Sequence, residues 1–221
     1  MWKSGRGDFG VSQSLNFIKA SATEIVAVLN QMSHTNISYH EYGQPINVSS
    51  NSLYLLYQLR DCEWTTFECI REKRDFSISP WVQTLVKELK TDGISYFCNN
   101  TTESAGYEWF NKSQVIEEFS YPNSSMNGKL VGLSEAEVEK VFLEAENAVD
   151  SFLKSKNILA LHDTWSGQAI NEREDLSHDY QIDFISSGYP GFTLDANDFE
   201  QIYLVEFSDS SLQANALRGM A

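Results

Sequence analysis

The chain predicts an α+β protein built on a mostly antiparallel sheet, and three observations carry that expectation. Residues 53–70 hold two apolar runs separated by the short polar break Asp61, Cys62 and Glu63, the pattern of a hairpin. Stretches beginning at Ser21 and Ser79 place helix-start residues ahead of an apolar stripe of helical period. In chain order, residues 15–98 read strand, helix, strand, strand, helix, strand. That is the order of a ferredoxin-like β-α-β-β-α-β sandwich, with helices on one face of the sheet.

Taken in order, residues 1–13 are polar and Gly-rich and read as a loose lead-in. Leu15, Asn16, Phe17 and Ile18 make a first short strand. Ser21 and Glu24 form a capping-box pattern ahead of Ile25, Val26, Val28, Leu29 and Met32, the apolar face of a first helix. Between 33 and 51 the pattern weakens. Ile37, Tyr39, Ile46 and Val48 flank Gly43, Gln44 and Pro45, which suggests a turn or a short, irregular hairpin. In 53–60, Leu53, Leu55, Tyr57 and Leu59 alternate with Tyr54, Leu56, Gln58 and Arg60, giving one dry face and one half-wet face. Residues 64–70 are aromatic and β-branched, as a returning strand requires. Ser79 is the expected N-cap of the next helix and Pro80 its first helical residue, with Trp81, Val82, Leu85, Val86 and Leu89 as its stripe. Gly93 is expected to end that helix, and 94–98 to return to the sheet.

Beyond Cys98, strands at 107–110 and 115–121, joined by Asn111, Lys112 and Ser113, extend the sheet by a hairpin. Residues 122–128 have linker composition. The predicted organisation is a ferredoxin-like lobe over 1–121, a linker at 122–131, a smaller helix-plus-strands lobe over 132–208 and a tail at 209–221. The second lobe opens with another capping box, Ser134 and Glu137, and a staple pairing Leu133 with Val138. Val138, Val141, Phe142, Ala145, Ala148, Val149, Phe152 and Leu153 then form one stripe of a helix of about twenty residues, with Glu135, Glu139, Glu146 and Lys156 largely off it. Strands are expected at 158–161, 180–185 and 201–207, and an irregular polar stretch at 163–179.

At 221 residues with 42% hydrophobic content, the chain is long enough to bury a proper core. Its net charge is −15, and residues 111–221, with 7 Lys/Arg against 19 Asp/Glu, carry −12 of it. Phosphate-bearing partners, nucleic acid and anionic membrane, are disfavoured by that charge, whereas a basic protein partner is favoured. No run of 18 uncharged apolar residues occurs, so neither a signal peptide nor a membrane span is expected. Cys62, Cys69 and Cys98 are odd in number and lack C-x-x-C spacing, which reads as reduced, mostly buried thiols of a cytosolic protein.

The residues that invite a test for chemistry are His162 and Asp163, followed by His178 and Asp179, with Asp175 and Asp183 nearby. Imidazole and carboxylate together ligate a divalent metal, or a carboxylate orients an imidazole general base. Their spacing fits no helical pair, so tertiary structure would have to assemble them. The alternative is that both histidines cap strand ends in solvent. A Cys98 pair with His34 or His40 has no sequence context that would lower a thiol pKa, and buried packing is the better reading. Ser166-Gly167 is no nucleophile elbow, and no Gly-x-Gly-x-x-Gly or Gly-Lys-Ser/Thr cradle is present, so no nucleotide cofactor is expected. Tyr54, Tyr57, Trp64, Trp81, Tyr96, Tyr107, Trp109, Phe110, Phe119 and Tyr121 crowd the first lobe, most of them for packing, with the remainder available to a binding surface.

Leu55, Leu56, Tyr57, Gln58 and Leu59 with Glu63, Trp64 and Thr65, then residues 85–91, and then Gly106, Tyr107, Glu108, Trp109 and Phe110 form a pattern over about 50–121. It resembles a group of uncharacterised bacterial proteins, often cyanobacterial. The resemblance implies an α+β fold and brings no activity, cofactor or catalytic residue. The residues themselves favour a non-catalytic binding or regulatory protein of the immunity or antitoxin kind, which docks a basic partner through an acidic face. The other readings are a metal-dependent or general-base hydrolase using His162, Asp163, His178 and Asp179, and a small-ligand sensor. No oligomeric state follows from the sequence.

Overall fold

The hairpin anticipated at 53–70 lies near the middle of a wide sheet. The computed structural model describes residues 5–6, 12–31, 35–42, 44–48, 52–71, 79–99, 104–112, 114–122, 134–160, 166–172, 178–183 and 195–207. Its elements are β1 (Gly5–Arg6), β2 (Ser12–Ile18), α1 (Ala22–Leu29), β3 (Thr35–Tyr39), β4 (Pro45–Val48), β5 (Ser52–Leu59), β6 (Thr65–Arg71), α2 (Ser79–Leu89), β7 (Asp92–Asn99), β8 (Ser104–Asn111), β9 (Gln114–Tyr121), α3 (Glu135–Ser155), β10 (Leu159–Ala160), β11 (Ser166–Glu172), β12 (His178–Asp183), a 3-10 turn η1 (Ala196–Asp198) and β13 (Phe199–Phe207).

Eight strands pair in the order β3-β13-β5-β6-β2-β7-β8-β9, every pair antiparallel. β6 therefore lies between the mutually parallel β2 and β5, and β2 lies between the mutually parallel β6 and β7. These two split β-α-β units are the ferredoxin-like core. The β8–β9 hairpin extends the sheet at one side as its sequence predicts.

Strand alternation sorts the side chains into two cores. On one face Ile18, Tyr54, Leu56, Phe67 and Phe110 pack against Ala22, Ile25 and Leu29 of α1 and Val82, Leu85 and Val86 of α2. On the opposite face Leu15, Phe17, Ile94, Tyr96, Ala105 and Tyr107 meet Phe142, Ala145, Val149, Phe152 and Leu153 of α3. Residues 132–208 thus supply α3 to the second face, and β13 to the sheet itself. Trp64, at the start of the returning strand, fastens hairpin to helix: its indole N–H donates to the Lys156 carbonyl at 3.1 Å.

Both capping boxes form. The Ser21 N–H and hydroxyl donate to the Glu24 carboxylate at 2.9 and 2.7 Å, and the Glu24 N–H donates back to the Ser21 hydroxyl at 3.3 Å. The Ser134 N–H and hydroxyl donate to the Glu137 carboxylate at 2.8 and 2.7 Å. Hydrogen bonds from Ser21 hold the Glu24 carboxyl below its usual range. A carboxyl whose pKa is depressed by folding contributes stability above its ordinary pKa and loses it as pH falls through the depressed value. Ser21→Ala is expected to cost about 1 kcal/mol in a urea titration at neutral pH. It should also flatten the acid limb of stability against pH, whereas an unchanged midpoint would remove the cap from the account of α1.

Several elements differ from the sequence expectation. α2 does not end on Gly93. Lys90 takes the left-handed conformation (φ 54°), with Thr91 N–H donating to the Val86 carbonyl and Lys90 N–H to that of Lys87, a Schellman closure. Gly93 instead lies within β7, where a Cβ would run into the methyls of Val86 and Val82. α3 closes in the same way on Asn157 (φ 57°), an amide residue that tolerates this conformation. The strands expected around Gln44 and Pro45 form but do not make a hairpin, because β3 pairs with β13 and β4 with β12. The lead-in contributes β1, which runs parallel to β10. The stretch taken as irregular contains β11, held by its ladder to β12 despite a sequence poor in strand formers. Glu146, placed off the α3 stripe, is 6% exposed. Leu133, the predicted linker 122–131 beyond Pro122, and the tail 209–221 lie outside the described residues.

Candidate functional site

His162 and Asp163 lie outside the described residues. His178 and Asp179 open β12, whose backbone pairs with Val48 and Asn47 of β4 on one side and with Glu172 and Asn171 of β11 on the other. Among the described residues no group of three or more His, Cys, Asp or Glu is placed to hold a metal ion.

Among the described residues the fold buries His40. The sequence suggested it only as a partner for Cys98, but β3 and β7 are five strand intervals apart, about 24 Å at the usual strand spacing. Cys98 instead directs its thiol at the Glu146 carboxylate on α3, at 3.6 Å. It is buried and Cys62 is half-buried, and neither is in a disulfide. Burial pushes the Cys62 thiol up, away from reactivity.

His40 follows the last residue of β3, and its N–H donates to the Ile202 carbonyl of β13 at 2.9 Å, continuing the ladder by one rung. There Tyr39, His40, Glu41, Tyr42, Ala196, Phe199, Glu200, Gln201 and Ile202 enclose a cleft of about 340 Å³, within the size range of small-molecule sites. Its far wall is fixed by Arg60, whose backbone N–H donates to Asp198 and whose guanidinium donates to the Asn197 and Phe199 carbonyls. Asp195 caps η1 by accepting from the Asn197 N–H at 2.7 Å. Thr23 of α1 donates to the Gln201 side chain at 2.7 Å, and the Tyr42 and Phe199 rings meet at 5.6 Å.

His40 is 6% exposed, and its Nε2 is shielded from solvent with no hydrogen-bond partner. Burial pushes the imidazole pKa down, against a hydrogen bond to the Gln44 backbone and the nearby Glu41 charge. The ring is therefore neutral at neutral pH. The ring bonds the Gln44 backbone and Nε2 is the nitrogen without a partner, so Nε2 carries the lone pair of the neutral ring, able to accept a proton or a hydrogen bond. The signal for this site in the sequence was faint: a histidine beside Tyr39, Glu41 and Tyr42 near a turn.

A second surface lies at the opposite edge of the sheet. β9 is exposed along most of its length, including Glu117 and Glu118, with Val115 48% and Ile116 52% exposed. Tyr107 donates to the Glu117 carboxylate at 2.6 Å. Its pKa is driven upward by burial and by that carboxylate, so it remains a donor and holds Glu117 in place. α3 packs beside β9 through Phe142 against Tyr121 and exposes Glu137, Glu139, Glu144 and Leu143.

Fold and surfaces together define an α+β protein with an extended ferredoxin-like sheet, and no described helix is long and apolar enough to cross a membrane. No family model, curated protein or solved structure matches the chain.

Proposed function

We propose that this is a non-catalytic binding or regulatory protein, of the immunity or antitoxin kind, which docks a basic protein through the acidic edge built by β9 and α3. The observation that carries the reading is the concentration of charge. Residues 111–221 hold −12 of the net −15, and five exposed glutamates lie on the same two elements as the exposed Val115, Ile116 and Leu143. Acidic side chains steer a basic partner and set its orientation, while the apolar residues supply area that is dry on contact. A cytosolic location agrees with Cys62 and Cys98 standing outside any disulfide.

The test is affinity capture of the tagged protein from lysate of its own source at low and high salt, with mass spectrometry of what is retained. A basic protein should be held at low salt, and its association rate should fall roughly tenfold or more as salt is raised. The charge reversal Glu118→Lys with Glu139→Lys and Glu144→Lys should weaken retention while leaving the thermal midpoint nearly unchanged. A chain that stays alone at low salt, or a partner indifferent to both salt and charge reversal, overturns the reading.

A further inference from the structure

We infer that the His40 cleft binds a small organic amine in its protonated form, with an ammonium N–H donating to His40 Nε2. This site is separate from the proposed docking edge, since β3 and β9 are the two opposite edges of the sheet.

The lining selects the ligand class by what it offers and what it lacks. It offers acceptors: the Nε2 lone pair and the Glu41 carboxylate, with the Glu200 carboxylate shared with Arg60. Three aromatic residues, Tyr39, Tyr42 and Phe199, line it, and aromatic rings attract cations. Among the described residues no Lys or Arg lines the cleft. The neighbouring Arg60 spends its guanidinium on the Asn197 and Phe199 carbonyls and on Glu200 at 3.8 Å. An anion is therefore disfavoured, since the donors in the lining, the Tyr39 and Tyr42 hydroxyls and the Gln201 amide, are neutral. A cation rich in N–H donors meets both the charge and the unpaired nitrogen. The cleft is near the small end of ligand-site volumes, which suits one ring and its ammonium group.

Nε2 is screened from water, so the amine must displace something to reach it. The chain neighbours on either side, Tyr39 at 65% exposure with its ring edge-on to Tyr203, and Glu41, are exposed. The backbone walls stay fixed by the His40–Ile202 and Arg60–Asp198 hydrogen bonds. Rotation of these exposed side chains is the movement the inference requires, and binding supplies the hydrogen bond that the buried nitrogen lacks.

Isothermal titration of the whole protein with benzylamine tests the assignment, with benzyl alcohol, benzoate and benzyltrimethylammonium as controls. One saturable site is expected for benzylamine. Benzyltrimethylammonium, which keeps the charge and loses the N–H, should bind about tenfold more weakly, as the loss of a charge-assisted hydrogen bond requires. Benzyl alcohol should be weaker by a similar factor and benzoate should not bind. Glu41→Gln, at an exposed position, should weaken benzylamine about threefold, in line with one partly screened charge. His40→Gln should weaken it about tenfold. If that variant does not fold, the ¹⁵N signal of His40 Nε2 in the unaltered protein decides the matter, because it must shift on adding benzylamine. Benzylamine binding no tighter than benzyl alcohol, or saturating with the Nε2 signal unmoved, overturns the inference.

Discussion

Phe67→Ala is expected to lower the unfolding free energy by about 3–5 kcal/mol, the range for deleting a fully buried aromatic ring. Phe67 sits on β6, flanked by β5 and β2 at the centre of the sheet, and is fully buried. Its ring stacks on Tyr54 with centroids 5.1 Å apart and planes 6° from parallel. It belongs to the core that receives both α1 and α2, so a cavity there unsupports two helices at once. Native domains hold only about 5–15 kcal/mol in total, and the variant should be marginal. The check is the denaturant midpoint at unchanged slope. A loss under about 1 kcal/mol would mean that the two helices are held chiefly by something other than this core.

Phe152→Ala should cost nearly as much, about 3–4 kcal/mol, but its effect should be uneven. Phe152 is the residue through which α3 grips the opposite face: its ring lies flat on Tyr107 at 3.6 Å between centroids and 6° between planes. It also borders Trp109 at 6.3 Å, over which the Lys156 ammonium sits at 3.3 Å. Removing the ring takes away both the stack and one wall of that cation–π contact. Amide exchange should therefore accelerate in α3 well beyond its change in β5, β6 and β2, since the helix can detach while the ferredoxin-like unit stays closed. Equal acceleration everywhere would make α3 part of a single cooperative unit.

Much of this architecture could be read in the chain because its information was local. Ser21 with Glu24 and Ser134 with Glu137 are four residues of contiguous sequence each, and both boxes form. The alternation at 53–60 specified a strand, and the order of elements through 98 specified two split β-α-β units. What could not be read depended on partners distant in sequence. Nothing in Ile37 or Tyr39 announces that the next strand in the sheet will be Tyr203 and its neighbours. The pattern at Gly93 looked like a helix end because glycine is the usual left-handed residue. The space taken up by Val82 and Val86 is what requires glycine there, and Lys90 bears the left-handed turn. His40 escaped for a similar reason: its burial comes from the Ile202 carbonyl and the η1 wall, both more than 150 positions away. Glu146 shows the limit of a helical stripe, which marks where apolar residues go and is silent about a carboxylate facing a thiol.

The position of β13 between β3 and β5 sets a schedule for the protein's synthesis. β2, β5, β6 and β7 can close around α1 and α2 as soon as residue 99 has left the ribosome, yet the outer edge of β5 waits for a strand that begins at Phe199. At about 5–20 residues per second, the roughly 140 residues between Leu59 and Phe199 take on the order of ten seconds to make. For that interval Leu53, Leu55 and Leu59 belong to an unpaired strand edge, the kind of surface that recruits other nascent chains. Conditions that slow elongation lengthen the exposure, so yield should depend on translation speed and on chaperone supply more than the finished fold would suggest.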